Sequence, residues 1–172
     1  MVLFLVENLV NNMLYYPLKD SVITSPFGGT RNHNGTDYRA TEGTKIFAPQ
    51  DGKITALYTG TKGGKQLIIE HPNGFTTGYA HLSNYNVKIG ETVTNGQVIA
   101  FTGNTGVGSG PHLHFTVSID GRKIDPETVL KKRTIATGIS SNLKDNKGFA
   151  FLIIFILTII SILIYTNYVR NK

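Results

Sequence analysis

His112-Leu-His-Phe-Thr-Val-Ser-Ile119 alternates polar and apolar residues without a break. In a β-strand successive side chains point to opposite faces. His112, His114, Thr116 and Ser118 therefore share one face, and Leu113, Phe115, Val117 and Ile119 share the other. The expectation is a strand with its apolar side on a core and its polar side forming a work surface that carries two neighbouring imidazoles. His-x-His by itself is a weak pointer to metal binding or catalysis, and it needs partners from elsewhere in the chain.

The rest of the central region has the same β character. Runs rich in Val, Ile, Thr, Tyr and Phe are separated by Asp51-Gly52, Asn73-Gly74, Asn95-Gly96 and Asp120-Gly121, dipeptides that tolerate the positive φ of tight turns. Strands are predicted over Lys45 to Ala48, Lys53 to Tyr58, Gln66 to Glu70, Phe75 to His81, Gln97 to Thr102 and His112 to Ile119. No gap from Lys45 onward holds the helical crossover of about a dozen residues that parallel pairing needs. The fold class expected is mainly β, an antiparallel sheet or sandwich over residues 21–130.

The two ends read differently. Residues 1–20 place apolar side chains at 2, 3, 5, 6, 9, 10, 13 and 14, near-helical spacing, so a short amphipathic helix packed on the domain is expected. The segment has no basic start and no small-residue cleavage site, which makes it a poor signal peptide. Residues 131–148 form a basic and polar linker. Residues 149–169, FAFLIIFILTIISILIYTNYV, carry no charge and are long enough for a transmembrane helix, with Tyr165 and Tyr168 where an interfacial aromatic belt would lie. Residues 170–172 are a tail.

The formal net charge of +6 raises nucleic acid as a partner. Its distribution argues against that. Residues 1–130 hold ten Lys+Arg and ten Asp+Glu, so the excess lies wholly in the flanks of the tail, and the domain lacks the basic face of a nucleic-acid binder. The 172 residues leave room for one domain with a core. With no cysteine, any metal must be held by His, Asp or Glu.

His33-Asn-Gly-Thr-Asp37 supplies a second candidate element. Asn34-Gly35 opposes a helix, so a turn must bring His33 and Asp37 together. A catalytic zinc site keeps three protein ligands and one open position. His33, Asp37 and one histidine of the His-x-His pair make such a set. Asn34-Gly-Thr36 also reads as a glycosylation acceptor, but a glycan between two ligands would block the site. His81 ends the strand from Phe75, on the face expected to hold Phe75, Thr77 and Tyr79. His71 falls in a His-Pro-Asn-Gly turn and takes no chemical role. Gly103-Asn-Thr-Gly-Val-Gly-Ser-Gly110 fits neither phosphate-loop pattern, since no Gly-Lys-Ser/Thr ends it and a strand follows. It is expected to let the chain approach a cleft before His112.

Together these elements resemble the lysostaphin-like, LytM-type zinc endopeptidases that cleave peptidoglycan peptides. The resemblance covers about Ser25 to Leu130 and rests on four stretches in order. They are Ser25-Pro-Phe-Gly28 leading to His33-x-x-x-Asp37, then Gly43-Thr-Lys-Ile-Phe-Ala-Pro-Gln-Asp-Gly52, Tyr79-Ala-His-Leu82, and Gly106-Val-Gly-Ser-Gly-Pro-His-Leu-His-Phe115. The resemblance implies a zinc ion held by His33, Asp37 and His114, with His81 and His112 as non-ligating catalytic histidines. Sequence does not order those two as base and acid. Zinc can acidify a bound water to a pKa of about 7 and polarise a carbonyl, and an imidazole alongside can move the proton. The short link between Phe27 and His33 removes one wall-forming loop and bears on substrate preference.

Two rival classes follow from the same residues: a non-catalytic regulatory relative of the fold, and a structural membrane or virion protein. All five polar residues are present, which favours catalysis. The expected partners are a peptidoglycan peptide and, through the C-terminal span, a membrane. Localisation is expected at a bacteriophage or bacterial host membrane, as in a phage lytic protein.

Overall fold

In the computed structural model the described residues are 13–29, 32–108 and 110–132. The chain divides after residue 133 into two units, and every described residue belongs to the first. The expected transmembrane helix over 149–169, nearly all of the linker and the tail lie outside the described residues. Among those residues no helix is long and apolar enough to cross a membrane.

The first unit is almost entirely β. Its large sheet runs in the order β2 (Ile23–Ser25), β3 (Thr36–Arg39), β10 (His112–Ile119), β7 (Phe75–Tyr85), β6 (Gly64–Glu70), β5 (Gly52–Gly60) and β8 (Thr92–Val93). β11 (Arg122–Ile124) pairs with β10, and β9 (Val98–Thr102) pairs with both β7 and β4 (Lys45–Phe47). All these pairings are antiparallel. The six predicted strands correspond to β4, β5, β6, β7, β9 and β10. Their turns follow the residue chemistry: Asp120 (φ +50°) and Gly121 (φ +76°) close the two-residue hairpin between β10 and β11.

β7 is the strand on which the sheet turns. Phe75 to Ala80 pair with β10, whereas Leu82 to Tyr85 pair with β9. One strand thus serves two neighbours in succession, and the change comes at His81, which has the left-handed φ of +60°. The core beneath is built from side chains at 2% exposure or less, among them Tyr38, Ile54, Leu67, Tyr79, Leu113 and Phe115. Burying side chains of this size supplies the main favourable term in folding.

One expectation falls largely outside the described residues, and another needs correction. The helix expected over residues 1–20 falls mostly on residues 1–12, which lie outside the described residues; from residue 13 onward the chain is extended, and β1 (Leu14–Tyr15) pairs in parallel with β12 (Leu130–Lys131). Leu14 and Leu18 are core residues, so the folded unit begins before residue 21. Pro17, between them, disfavours a helix running through this stretch. Glu127, in the middle of the adjoining 3-10 turn Pro126–Thr128, ties the seam to the core. Glu127 accepts hydrogen bonds from Tyr16, at 2.7 Å, and from Tyr38, at 2.5 Å. Burial and then Glu127 push the Tyr16 phenol up to about 12.

The polar face of β10 is the expectation that needs correction. His112 and His114 are partly open, but Thr116 and Ser118 are buried at 7% and 5% exposure, and Ile119 is open at 37%. β11 folds back beside β10, and Lys123 covers Thr116. The exposed work surface is confined to the histidine end of the strand.

Candidate metal centre

Asp37 and His114 meet because β3 and β10 place them directly opposite each other. Tyr38, next along β3, points into the core at 0% exposure, so alternation sends Asp37 outward. His33 arrives from a turn in which Gly28 and His33 exchange backbone hydrogen bonds of 2.7 and 3.0 Å. Between His33 and Asp37, Gly35 presses onto β10: a Cβ there would lie 2.5 Å from the Phe115 carbonyl oxygen and 2.8 Å from His114 Cε1. Only glycine allows that approach without displacement.

The resulting donor atoms form a small triangle. His114 Nδ1 lies 2.8 Å from Asp37 Oδ1, His33 Nε2 lies 3.1 Å from His114 Nδ1, and His33 Nε2 lies 3.3 Å from Asp37 Oδ1. Ligands about 2.0–2.1 Å from a tetrahedral ion stand about 3.3–3.4 Å apart, so these edges suit one ion with little adjustment. The tautomer of His33 agrees. Its Nδ1 donates to the Pro26 carbonyl at 2.9 Å, with Ser25 Oγ 3.3 Å away, leaving the Nε2 lone pair aimed into the triangle. Two imidazole nitrogens and a carboxylate oxygen converging this closely form a donor set that fits a cation. Burial alone would raise the Asp37 pKa, but the hydrogen bond and charge of His114, with His33 and His112, outweigh it and hold the carboxyl below its ordinary value.

His112 and His81 stand beside the triangle. His112 is two residues from His114 on the same strand face, with Nε2 4.0 Å from Asp37 Oδ1. The ring of His81 lies 4.5 Å from that of His112 and 6.2 Å from that of His114, centre to centre. Simple alternation places His81 with Phe75, Thr77 and Tyr79, and the structure overturns this. The β6–β7 register slips between the Lys65–Leu82 and Leu67–Tyr79 pairs, and His81 takes its left-handed conformation at that bulge. Bulges re-aim side chains in this way. A non-glycine residue at positive φ carries local strain, which surrounding contacts must hold in place.

Those contacts come from the glycine-rich loop. His81 Nδ1 donates to the Thr105 carbonyl and His112 Nδ1 donates to the Gly110 carbonyl, both at 2.8 Å. Each ring consequently keeps a lone pair on Nε2. Thr105 is itself held by two hydrogen bonds, Oγ1 donating to Leu82 O at 2.8 Å and accepting from Lys65 N at 2.9 Å, and the next residue, Gly106, abuts the chain at Gly64. Burial lowers the His81 pKa, the Thr105 carbonyl opposes that, and the imidazoles of His112 and His114 lower it further. Sequence reasoning anticipated the loop's approach to the cleft but not its two carbonyls, which are main-chain groups without a residue signature.

All five candidate residues converge; His71 does not join them. It is buried at 6% exposure, with Nδ1 donating to Asp51 O at 2.9 Å and Nε2 2.9 Å from Thr77 Oγ1. This is a structural histidine with both nitrogens satisfied. From His114 a groove of about 230 Å³ extends over the sheet, with Gly78 and Ala80 among its lining residues, together with Tyr58, Gln66 and Lys123.

The sequence profile described as Peptidase family M23 matches residues 31–126, more than half of the chain. The chain is 39% identical over 112 residues to the peptidoglycan DD-endopeptidase ShyB of Vibrio cholerae, covering 65% of this chain and 26% of that protein. Among solved structures it resembles a zinc-containing peptidase from Vibrio cholerae, with 35% identity, TM-score 0.62, and coverage of 66% of this chain and 39% of that one. It also resembles the antimicrobial peptidase lysostaphin from Staphylococcus simulans, with 29% identity, TM-score 0.65, and coverage of 74% and 61%. The chain spans only 26–28% of the length of several curated relatives. The matched segment contains every member of the donor triangle and both adjacent imidazoles, on the antiparallel fold shared with these structures, and the chain belongs to peptidase family M23.

Proposed function

We propose that this chain is a zinc endopeptidase that hydrolyses peptide bonds of bacterial peptidoglycan. One observation carries the reading: three convergent donor atoms stand beside two imidazoles whose Nδ1 protons are committed to main-chain carbonyls. His33 Nε2, Asp37 Oδ1 and His114 Nδ1 would hold the ion. Zinc bound there would supply Lewis-acid polarisation of the peptide carbonyl and acidify a water to a pKa of about 7.

The chain's own residues do the rest. His81 and His112 each present an Nε2 lone pair to the cleft, fixed in orientation by the Thr105 and Gly110 carbonyls. A proton accepted at Nε2 from the attacking water can be returned to the departing amine, and positioned groups of this kind contribute about 10²–10⁴ in rate. Burial lowers the His81 pKa, which favours the neutral ring that a base requires. Peptidoglycan as substrate is supported by the name of the Vibrio cholerae relative and by the open groove beside His114. A regulatory role without catalysis would need none of this tautomer control.

Membrane attachment through residues 149–169 is proposed from their length and lack of charge alone. Recovery of the full chain in the soluble fraction after carbonate extraction would count against it. The enzymatic reading is tested by metal content and by release of soluble peptides from purified peptidoglycan. About one zinc per chain and chelator-sensitive release are expected; stoichiometric metal without release would sink the enzymatic reading.

A further inference from the structure

We propose that Lys123 reads a carboxylate in the substrate groove, selecting peptides with a free carboxylate about two residues from the bond presented at His114. The inference rests on the endopeptidase reading above.

Lys123 comes to the groove through local geometry. The Asp120-Gly121 turn folds β11 back so that Lys123 pairs with Ser118, on the same face of the sheet. From there its Nζ reaches back to donate to Thr116 Oγ1 at 3.0 Å. Thr116 is the next residue after His114 on that face, so the ammonium sits about 7 Å along the strand from the donor triangle. An extended substrate advances about 3.3–3.4 Å per residue, which sets the spacing of about two residues.

The surroundings leave this cation without a counterpart. Among the described residues every ion pair involves Asp37, and none involves Lys123. Asn34, Gln66 and Thr76 on the groove are uncharged side chains, and no carboxylate is among its lining residues. An ammonium has three donors, and one hydroxyl satisfies one of them. Although the residue is exposed along its length, its head lies against Thr116, where burial alone lowers its pKa and no opposite charge offsets that.

The floor favours a peptide backbone. Gly78 lies opposite Thr116 and Ala80 lies opposite His114, so small residues run beneath the groove from the metal donors to Lys123. A Cβ on Gly78 would stand 2.7 Å from Thr116 Oγ1, the atom that positions the ammonium. A chain lying flat on this floor can bring a carboxylate to Lys123 while its scissile bond is at His114.

The test uses the zinc-loaded full chain and a stem-type peptide with one free carboxylate two residues from the target bond, beside the same peptide amidated there. Affinities are measured by calorimetry for wild type, Lys123→Met and Lys123→Arg. Wild type is expected to favour the carboxylate form about ten- to a hundredfold, the gain of a charge-assisted bond in a partly dry site. Lys123→Met should reduce the preference to within about twofold, and Lys123→Arg should keep most of it. Equal affinity in wild type, no measurable binding of either peptide, or a preference that survives Lys123→Met would overturn the proposal. Intact preference without cell-wall cleavage would instead sink the enzymatic reading and leave the role of Lys123 standing.

Discussion

The rings of His81 and His112 lie 4.5 Å apart although they reach the cleft by different backbone routes. His112 arrives by strand alternation, His81 by a left-handed residue at a bulge. A single loop disciplines both, since Thr105 and Gly110 each receive an Nδ1 proton. Tautomer and orientation are thereby fixed together, from a segment that contributes no side chain to the metal triangle.

Metal binding and proton transfer should separate cleanly. His33→Ala and His114→Ala are expected to lose zinc and activity together, because each removes a corner of the triangle. His81→Ala and His112→Ala should retain zinc while losing about 10²–10⁴ in rate. The measurement is metal content by mass spectrometry beside peptide release, on variants checked for folding. Zinc loss from the His112 variant but not from the His114 variant would reverse their assignments.

Gly106→Ala tests the loop. A Cβ there would lie 2.3 Å from Gly64 N and from Lys62 O, at a φ of +81° that alanine resists. Displacement of the neighbouring Thr105 carbonyl should lower kcat with the zinc content intact, alongside about 1–3 kcal/mol of destabilisation. Kinetics at saturating substrate and a denaturation curve read both effects. Unchanged kcat would show that the carbonyl does not position His81.

Gly35→Ala should act on the metal instead. Its Cβ would press on the Phe115 carbonyl and the His114 ring, moving two corners of the triangle apart. Zinc affinity is expected to fall by about 10- to 100-fold, the scale seen when support around ligands is disturbed. Competition with a chelator of known affinity measures it, and affinity equal to wild type would contradict the packing argument.

His71 gives a pH signature outside the cleft. Burial lowers its pKa below the ordinary 6.5 despite the Asp51 carbonyl, so the unfolded chain takes up the extra proton first. Stability from the neutral ring is complete above pH 6.5 and is lost as pH falls from there toward the folded-state pKa. His71→Asn should cost about 1–3 kcal/mol at pH 7–8 through loss of the ring's bonds to the Asp51 carbonyl and the Thr77 hydroxyl. Its deficit in Tm relative to wild type should shrink below pH 6.5; a constant deficit from pH 8 to 5 would refute the linkage.

The parts of the site legible in sequence were those set by local rules. Alternation put His112 and His114 on one face, and Asn34-Gly35 required a turn between His33 and Asp37. The face of His81 was misjudged because the bulge belongs to the register between β6 and β7, a relation between strands that no single run of residues encodes. The β1–β12 seam escaped notice for a similar reason: a two-residue strand has no periodicity to detect, and its partner is far along the chain. Lys123 carries no local signal in the sequence; the pairing of β11 with β10 is what brings it back over Thr116.

The β1–β12 seam also determines how the domain bears load. Its strands are parallel, so a pull on the segment before Leu14 against a pull on the segment after Lys131 draws them past each other lengthwise. In that geometry the bonds from Leu14 N to Val129 O and from Tyr16 N to Lys131 O are strained at once, with the Tyr16–Glu127 contact beside them, and no rung opens ahead of the others. Tension applied through the two ends meets this short rivet before it reaches the strands bearing the histidines. In single-molecule stretching, Glu127→Ala should lower the force at which the ends part while sparing the force that opens the main sheet.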